Sequence, residues 1–343
     1  MFPRILLLFF LLFILSFSLF CSPPQTIHKI KKPLLGTIIE ITAFCDSKHF
    51  SKVTPKIFKE IARIESLMSP FKKESGLYKI NHSAFSQPLK IDPETFNLLE
   101  TSNHLSRRTE GYFDISFAPL KKFWDYKHKN FAPPSQKQLN EILPLVNYQN
   151  IILNSTSRSI FFKKKGMQID LGGIAKGYAL KKGIETMKKN GLTNGIVNAG
   201  GDLQVIGQKN DQPWLTGLQH PRLKKILLSI KLKPNDSIAT SGDYERYTIY
   251  KNQRYHHLLN PHSGYPAQTF SSVSVISKDP VLSDAYATAF FIMGLKKTTL
   301  FLAKNKDLSL QVILTDQNLN LYISREIKSR IKILEPINSV NDI

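Results

Sequence analysis

Residues 168–177, QIDLGGIAKG, place an acid, two adjacent glycines and a lysine just ahead of a helical pattern that runs to Gly191. Read as an apolar strand ending in Asp170, a turn at Gly172 and Gly173 and a helix opening with Lys176, the stretch makes an anion cradle. Free backbone N–H groups and the positive dipole end of a helix attract phosphate. Glycine lets the chain approach without a Cβ, and Lys176 adds a mobile point charge. Taken alone, however, a double-glycine turn is more often a plain tight connection between strand and helix than a ligand site, and by itself the stretch favours that reading. Far along the chain, Asp284 and Thr288 stand four residues apart in a helical pattern opened by Asp279 and Pro280, which puts both oxygens on one helical face. Carboxylate plus hydroxyl is hard-ligand chemistry, fit for Mg2+ and not for zinc, although an Asp and a Thr four apart more often form only a hydrogen bond on the helix surface. Between these stretches, SIATSGDYERYTIY and YHHLLNPHSGYPA gather Ser, Thr, His and Asp near turn residues, as loops around a site do. No HExxH, paired CxxC, GxSxG or Walker pattern is present.

Regular elements must position these residues. LLGTIIEITAF alternates as a strand that opens with Gly36 and Thr37, and Ile57, Ile61, Ile64 and Met68 predict an amphipathic helix over 53–68. SPFKKESGLYKIN follows as a loop whose Phe71 and Tyr78 either cap the core or stack on a flat ligand. Asp92 and Pro93 start a helix to about Arg108, before Gly111, and Ser135 with Gln138 is a capping box for a short helix. Asp114 lies among aromatic and apolar neighbours, where an acid needs a backbone N–H or a partner. Strands near 151–153 and 160–162 precede the glycine turn, whose helix buries Ile174, Leu180, Ile184 and Met187. GIVNAGGDLQVIG then gives a strand, a glycine pair with Asp202, and a second strand.

The chain of 343 residues can hold one large domain or two packed lobes. Its first twenty residues differ from the rest: Arg4 precedes an apolar run from Ile5 to Phe20, followed by Cys21, Ser22, Pro23 and Pro24. Residues 1–20 read as an export signal, since the run falls short of the roughly 20 apolar residues that span a bilayer. Cys21 lies where a lipoprotein signal places its acylated cysteine, although Phe20 is bulkier than the residue usual before it, and residues 21–32 read as a linker. Cys45 is then alone, so no disulfide forms and it reads as a core thiol. The net charge of +21 falls only to +20 without the leading segment. Its lysines are scattered in short runs of one to three, which favours an anionic lipid surface or a phosphorylated ligand and argues against a nucleic-acid partner.

In order along the chain, LGT at 35–37, SGLYKIN at 75–81, GYFDISFAPL at 111–120, DLGGIAKGYA at 170–179, NAGGD at 198–202, TSGDYE at 240–245, HLLNPHSGYP at 257–266 and SDAYATAFFIMG at 283–294 resemble the ApbE family of FAD:protein FMN transferases. Each match is weak alone, but eight in register cover nearly everything beyond residue 33. The resemblance implies an α+β fold over 33–343, with mixed sheets, packed helices and two closely associated lobes holding FAD in the cleft between them. It implies Mg2+ bound by Asp284, Thr288 and the Gly173 carbonyl. Asp170 and Lys176 would line the FAD site, with Tyr112, Phe113 and Asp114 as a further wall. Phe71 would offer its ring to the flavin nucleotide, and Leu35 takes an apolar position often filled by methionine. His257, Leu258 and Ser241 fall in motifs near the site.

The implied reaction is attack of a threonine or serine hydroxyl of an acceptor protein on the FMN-side phosphorus of FAD, with AMP leaving. Asp284 is the expected base, and His257 the second candidate by a pKa near neutrality. With water as acceptor the same site is an Mg2+-dependent FAD pyrophosphatase, and without chemistry the chain is a flavin-binding lipoprotein. The implied acceptors are flavoprotein subunits of membrane redox complexes, met by a lipid-anchored enzyme of the bacterial cell envelope facing the periplasm. Two departures stand out: Lys181 and Lys182 occupy positions where the family often has an acid, and NPHSGY at 260–265 replaces DPRTGY, so that Asn260 removes a charge.

Overall fold

The computed structural model describes residues 25–126 and 131–343. Residues 1–20, expected to be an export signal, and Cys21 lie outside them. A nine-stranded sheet organises the fold: β1 (Thr26–Leu34), β2 (Thr37–Cys45), β3 (Gly195–Ala199), β4 (Asp202–Ile206), β5 (Ser237–Gly242), β6 (Phe270–Ser277), β7 (Gln311–Asp316), β8 (Asn320–Ile323) and β9 (Ser339–Asp342) lie side by side in chain order. Neighbours pair antiparallel, except that β8 and β9 are parallel. The helices are α1 (Ser47–Met68), α2 (Gly76–Ser83), α3 (Pro93–Arg108), α4 (Gln136–Ile142), α5 (Ala175–Lys189) and α6 (Pro280–Lys304). This is the expected α+β architecture.

Strand alternation sorts the apolar side chains into layers. Ile39, Ile41, Val197, Val275 and Leu314 join the main core with Ile57 and Ile61 of α1, Ile184 and Met187 of α5, and Ala285 and Phe290 of α6. The opposite face, with Leu203, Val205, Ile238, Ile276 and Ile313, packs on a small sheet made by Trp214–Gln219, Ile226–Leu232 and Ile331–Ile333. A third cluster of Leu120, Trp124, Leu139, Ile142 and Leu259, rimmed by Tyr126, Phe131, Tyr255 and Tyr265, forms the interior of a smaller lobe.

Local chemistry sets the helix starts. Asp46, Asp92 and Asp279 each accept a backbone N–H from the first turn of α1, α3 and α6. Ser135 and Gln138 make the reciprocal capping box of α4. The Asp46 cap starts α1 six residues earlier than the apolar spacing alone predicts. α6 is apolar nearly all round, as befits a buried helix, and breaks at Gly294, where φ is 75°. Among the described residues no helix is long and apolar enough to cross a membrane. Cys45 is a buried free thiol.

Two expectations are corrected. Residues 26–32, read as part of a linker, belong to the edge strand β1, paired with β2 from Thr26 opposite Cys45 to Leu34 opposite Thr37. Lysines disguised it: Lys29 and Lys31 both reach Glu40 at 3.0 Å, and lysines with Pro33 are the residues that keep an open edge from pairing with another chain. Residues 168–170, read as the end of a strand, form none. Their backbone is held instead by the Asn81 amide, which accepts the Ile169 N–H at 2.8 Å and donates to the Ile169 carbonyl at 2.9 Å, while the Asp170 N–H bonds to the Ile115 carbonyl at 2.8 Å. A side-chain amide doing the work of a neighbouring strand leaves no periodic trace.

Candidate functional site

The glycine turn and the start of α6 meet closely. A Cβ on Gly173 would lie 3.3 Å from Thr288 Oγ1 and 3.4 Å from Phe113 Cε2, and a Cβ on Gly177 would collide with the Pro280 carbonyl and sit 2.9 Å from Asp284 Cβ. Asp284 Oδ2 accepts the Gly177 N–H at 2.9 Å, and its Oδ1 lies 4.0 Å from Lys176 Nζ. Lys176 is itself paired to Asp202 Oδ2, and Asp202 Oδ1 accepts the Thr240 N–H at 2.9 Å. The next residue of β5, Ser241, sets its Oγ 3.4 Å from Thr288 Oγ1. Strand, glycine turn and two helix starts thus converge on one polar corner.

Charge at this corner does not balance. Asp284 and Asp202 are 4 % and 2 % exposed and share one ammonium. Burial raises the Asp284 carboxyl to about 6; Lys176 opposes this and Asp202 adds to it. Burial works against the charge of Lys176, but Asp202 and Asp284 outweigh it and raise its pKa. The anion cradle read from the sequence is therefore filled from within: Gly172 N–H is taken by Asp170 at 2.7 Å, Gly177 N–H by Asp284 and Lys176 by Asp202. A carboxylate at the start of α5 satisfies the helix dipole. What the corner lacks, among the described residues, is a second cation in contact with its two acids.

The remaining expected residues take varied places. Phe113 is buried against Gly173. Tyr112 meets the His262 ring edge-on at 4.7 Å, with Lys297 Nζ 4.9 Å from its own ring. Asp114 accepts from Ser116 N–H, Ser116 Oγ and Tyr148 N–H at 2.8, 2.6 and 2.9 Å, and burial raises its pKa in spite of these donors. With Arg107, Tyr148 and His262 it lines a cavity of about 440 Å³. The second oxygen of Asp170 accepts from Lys121 at 2.6 Å, so this acid ties the smaller lobe to the glycine turn. Leu35 holds φ 56° in the β1–β2 turn, and its N–H donates to Glu65, whose other oxygen accepts from Lys72 beside Phe71. The Phe71 ring is 87 % exposed, an unusual position for an apolar ring and one open to stacking. Leu258 is buried in the main core. Asn260 accepts the His262 N–H at 2.9 Å, so its neutral amide holds the turn that the common aspartate would.

His257 is corrected. Its Nδ1 is buried without a hydrogen-bond partner, and burial, reinforced by Arg246, pushes its pKa down to about 3. A neutral ring of such low basicity is a poor base near neutrality. The His257 ring resonances are expected to stay in the neutral form from pH 8 to pH 5, as followed by imidazole NMR; a midpoint near 6.5 would show the ring to be solvated. The folded pKa lies below the unfolded value, so the unfolded chain binds this proton first, and the residue's share of stability is lost as pH falls below about 6.5.

Sequence reading missed Asp202 as a site residue. The available signal was an acid directly after a glycine pair at the start of a strand, in NAGGD. The oxygens of Asp284 and Thr288, together with the adjacent Gly173 backbone, form a hard donor set. Among the described residues no group of three or more His, Cys, Asp or Glu is placed to hold a metal, so a cation here would rest on this mixed set. The two acids sharing one lysine fit such a cation, since its charge would complete theirs.

A profile of the ApbE family matches residues 35–314. A Klebsiella pneumoniae protein named FAD:protein FMN transferase is 29 % identical over 297 residues, which is 83 % of this chain and 92 % of that protein. A Vibrio cholerae protein of the same name is 26 % identical, over 90 % of this chain and 93 % of that one. Among solved structures, the ApbE protein of Thermotoga maritima superposes with a TM-score of 0.83 at 30 % identity, covering 89 % of this chain and 99 % of its own. The flavin transferase ApbE of Vibrio cholerae shares the fold, with a TM-score of 0.78 at 22 % identity over 90 % of this chain and all of that one.

Proposed function

The chain belongs to the ApbE family, and on that premise we propose that it is an FAD:protein FMN transferase, moving FMN from FAD to a threonine or serine hydroxyl of an acceptor protein with release of AMP. The observation that carries the chemistry is the corner where Asp284 and Thr288 pack against Gly173 and Gly177 with one lysine for two buried acids. That deficit suits Mg2+, which Asp284, Thr288 and the Gly173 carbonyl would hold against the diphosphate of FAD. Bound there, Mg2+ would neutralise the diphosphate and the charge growing on the leaving oxygen.

The chain's own residues do the rest. Asp284, whose Oδ2 is oriented by the Gly177 N–H, takes the proton of the attacking hydroxyl. An O–P bond forms to the FMN phosphorus as the P–O bond to AMP breaks, and the proton then passes to the departing phosphate. Lys176 stays charged and preorganised by Asp202, so its field needs no rearrangement during transfer. Phe113 closes the glycine corner on its apolar side, and Phe71 and Leu35 offer apolar surface to the isoalloxazine. We place the enzyme in the bacterial envelope, exported by residues 1–20 and held to a membrane by a lipid on Cys21. With β1 beginning at Thr26, the folded domain would stand close to that membrane and to flavoprotein subunits of redox complexes within it.

The purified protein is expected to place fluorescent flavin covalently on an acceptor when given FAD and Mg2+, with AMP formed one for one, and to stop when EDTA removes the cation. Release of AMP at the same rate without acceptor would make it a pyrophosphatase, and unchanged FAD would make it a binding protein.

A further inference from the structure

We propose that the hairpin formed by Tyr247–Tyr250 and Gln253–His256 is the docking edge for the acceptor, which adds an extended acidic segment as a third strand beside Tyr247–Tyr250 and so delivers its hydroxyl to the Asp284 corner. This deepens the transferase reading and rests on it.

The hairpin grows directly out of the site. β5 carries the Thr240 and Ser241 contacts to Asp202 and Thr288. Its exit is fixed at Asp243, which Arg222 clamps through two hydrogen bonds of 2.7 Å. Arg246 then leads into the first strand, and the second returns to His257, whose N–H donates to the Arg246 carbonyl at 3.1 Å. The charge of Arg246 is felt at both Lys176 and His257, so the foot of the hairpin lies beside the reacting corner.

Its outer edge has no strand partner among the described residues. The strands pair only with each other among the described residues. They close through Lys251 and Asn252, with φ 48° and 62°, the signature of a two-residue type I′ turn. That turn makes Tyr250 and Gln253 the hydrogen-bonded closing pair, so Tyr247 and Ile249 point their N–H and C=O groups outward. Exposed edges are ordinarily blunted by lysine or proline within the strand, and Tyr247–Tyr250 contains neither. Two-stranded hairpins are also marginal alone; this one is braced on one face, where Tyr250 meets Phe131 at 6.2 Å and Tyr255 meets Trp124 at 5.9 Å, and at its foot, where His256 is buried against Phe291 at 5.4 Å.

The other face is prepared for a partner. Tyr247 and Ile249 are 41 % and 54 % exposed. The Arg254 guanidinium stacks 3.7 Å over the Tyr247 ring, with its Nη1 buried and lacking a hydrogen-bond partner. Among the described residues the arginine ion pairs are those of Arg63, Arg108, Arg222, Arg325 and Arg330, and Arg246 and Arg254 are not among them. A guanidinium held flat and unpaired is matched by a carboxylate, which it can bind in bidentate fashion, while the backbone edge selects an extended chain.

The test uses the full chain with FAD and Mg2+, and as probe a short peptide with one central threonine flanked by aspartates, compared with the same peptide carrying lysines. The aspartate peptide is expected to slow amide exchange at Tyr247 and Ile249 and to bind about tenfold or more tightly than the lysine peptide. Ile249→Pro, which deletes an outward N–H but no hairpin hydrogen bond, and Arg254→Gln are each expected to weaken peptide binding about tenfold and to raise KM for the peptide more than they lower kcat. FAD binding, read by flavin quenching, should stay within about twofold of wild type and so report an intact fold. Absence of exchange protection at the hairpin, equal binding of the two peptides, or variants that label the peptide as efficiently as wild type would each overturn the docking edge. Protection and peptide binding without covalent flavin would leave the edge standing and remove the transferase reading instead.

Discussion

Asp284→Asn is expected to lower flavin transfer by on the order of a thousandfold, the scale of losing a preorganised group at developing charge, while the thermal transition stays put or rises. The asparagine keeps an oxygen for the Gly177 N–H, and Lys176 keeps Asp202 as its partner. It loses the only acid that reaches the glycine corner from α6. The stability half follows from the sign of the shift. The folded pKa of Asp284, about 6, lies above the carboxylate's ordinary value, so the folded state holds this proton more tightly than the unfolded one. The metal-free protein is therefore stabilised at low pH and loses that contribution as pH rises through 6. Removing the charge removes the penalty. Single-turnover transfer at saturating Mg2+ and thermal denaturation without Mg2+ read the two halves separately, and transfer within tenfold of wild type would end the role assigned to this acid.

The parts of this site that the sequence displayed were those carried by local rules. Asp279 with Pro280 announced α6, and four-residue spacing placed Asp284 and Thr288 on one face; both follow from short-range geometry. Capping likewise located α3 and α4. What stayed hidden was tertiary. Whether Lys176 met a ligand or an internal acid depended on Asp202, 26 residues away. The basicity of His257 depended on burial and on Arg246. Asn81 holding Ile169 spans 88 residues with no pattern to announce it. β1 was missed for a different reason: the lysines that protect an edge strand are the composition of a linker.

Gly177→Ala is expected to damage the enzyme more than its single methyl suggests, whereas Gly173→Ala should not. Gly177 is helical, so the backbone conformation suits alanine, and intrinsic propensity alone would make the change stabilising by up to about 1 kcal/mol. Contact decides against it. The new methyl would collide with the Pro280 carbonyl, a backbone atom that no rotamer change can move, and would lie 2.9 Å from Asp284 Cβ. α5 and α6 must then separate, at an overpacking cost of about 1–3 kcal/mol, and the Gly177 N–H to Asp284 bond lengthens with them. Since about 1 Å of misplacement can cost on the order of 10²-fold in rate, transfer should fall about a hundredfold alongside the lower melting temperature. At Gly173 the nearest atoms to the new methyl are Thr288 Oγ1 at 3.3 Å and Phe113 Cε2 at 3.4 Å, side-chain atoms that can yield by tenths of an ångström. The fold should survive there, and the loss should appear as a weaker requirement-saturating affinity for Mg2+, measured by titrating the cation against transfer rate. If Gly177→Ala transferred flavin at the wild-type rate with an unchanged melting temperature, the close approach of the two helix starts would not be what positions Asp284.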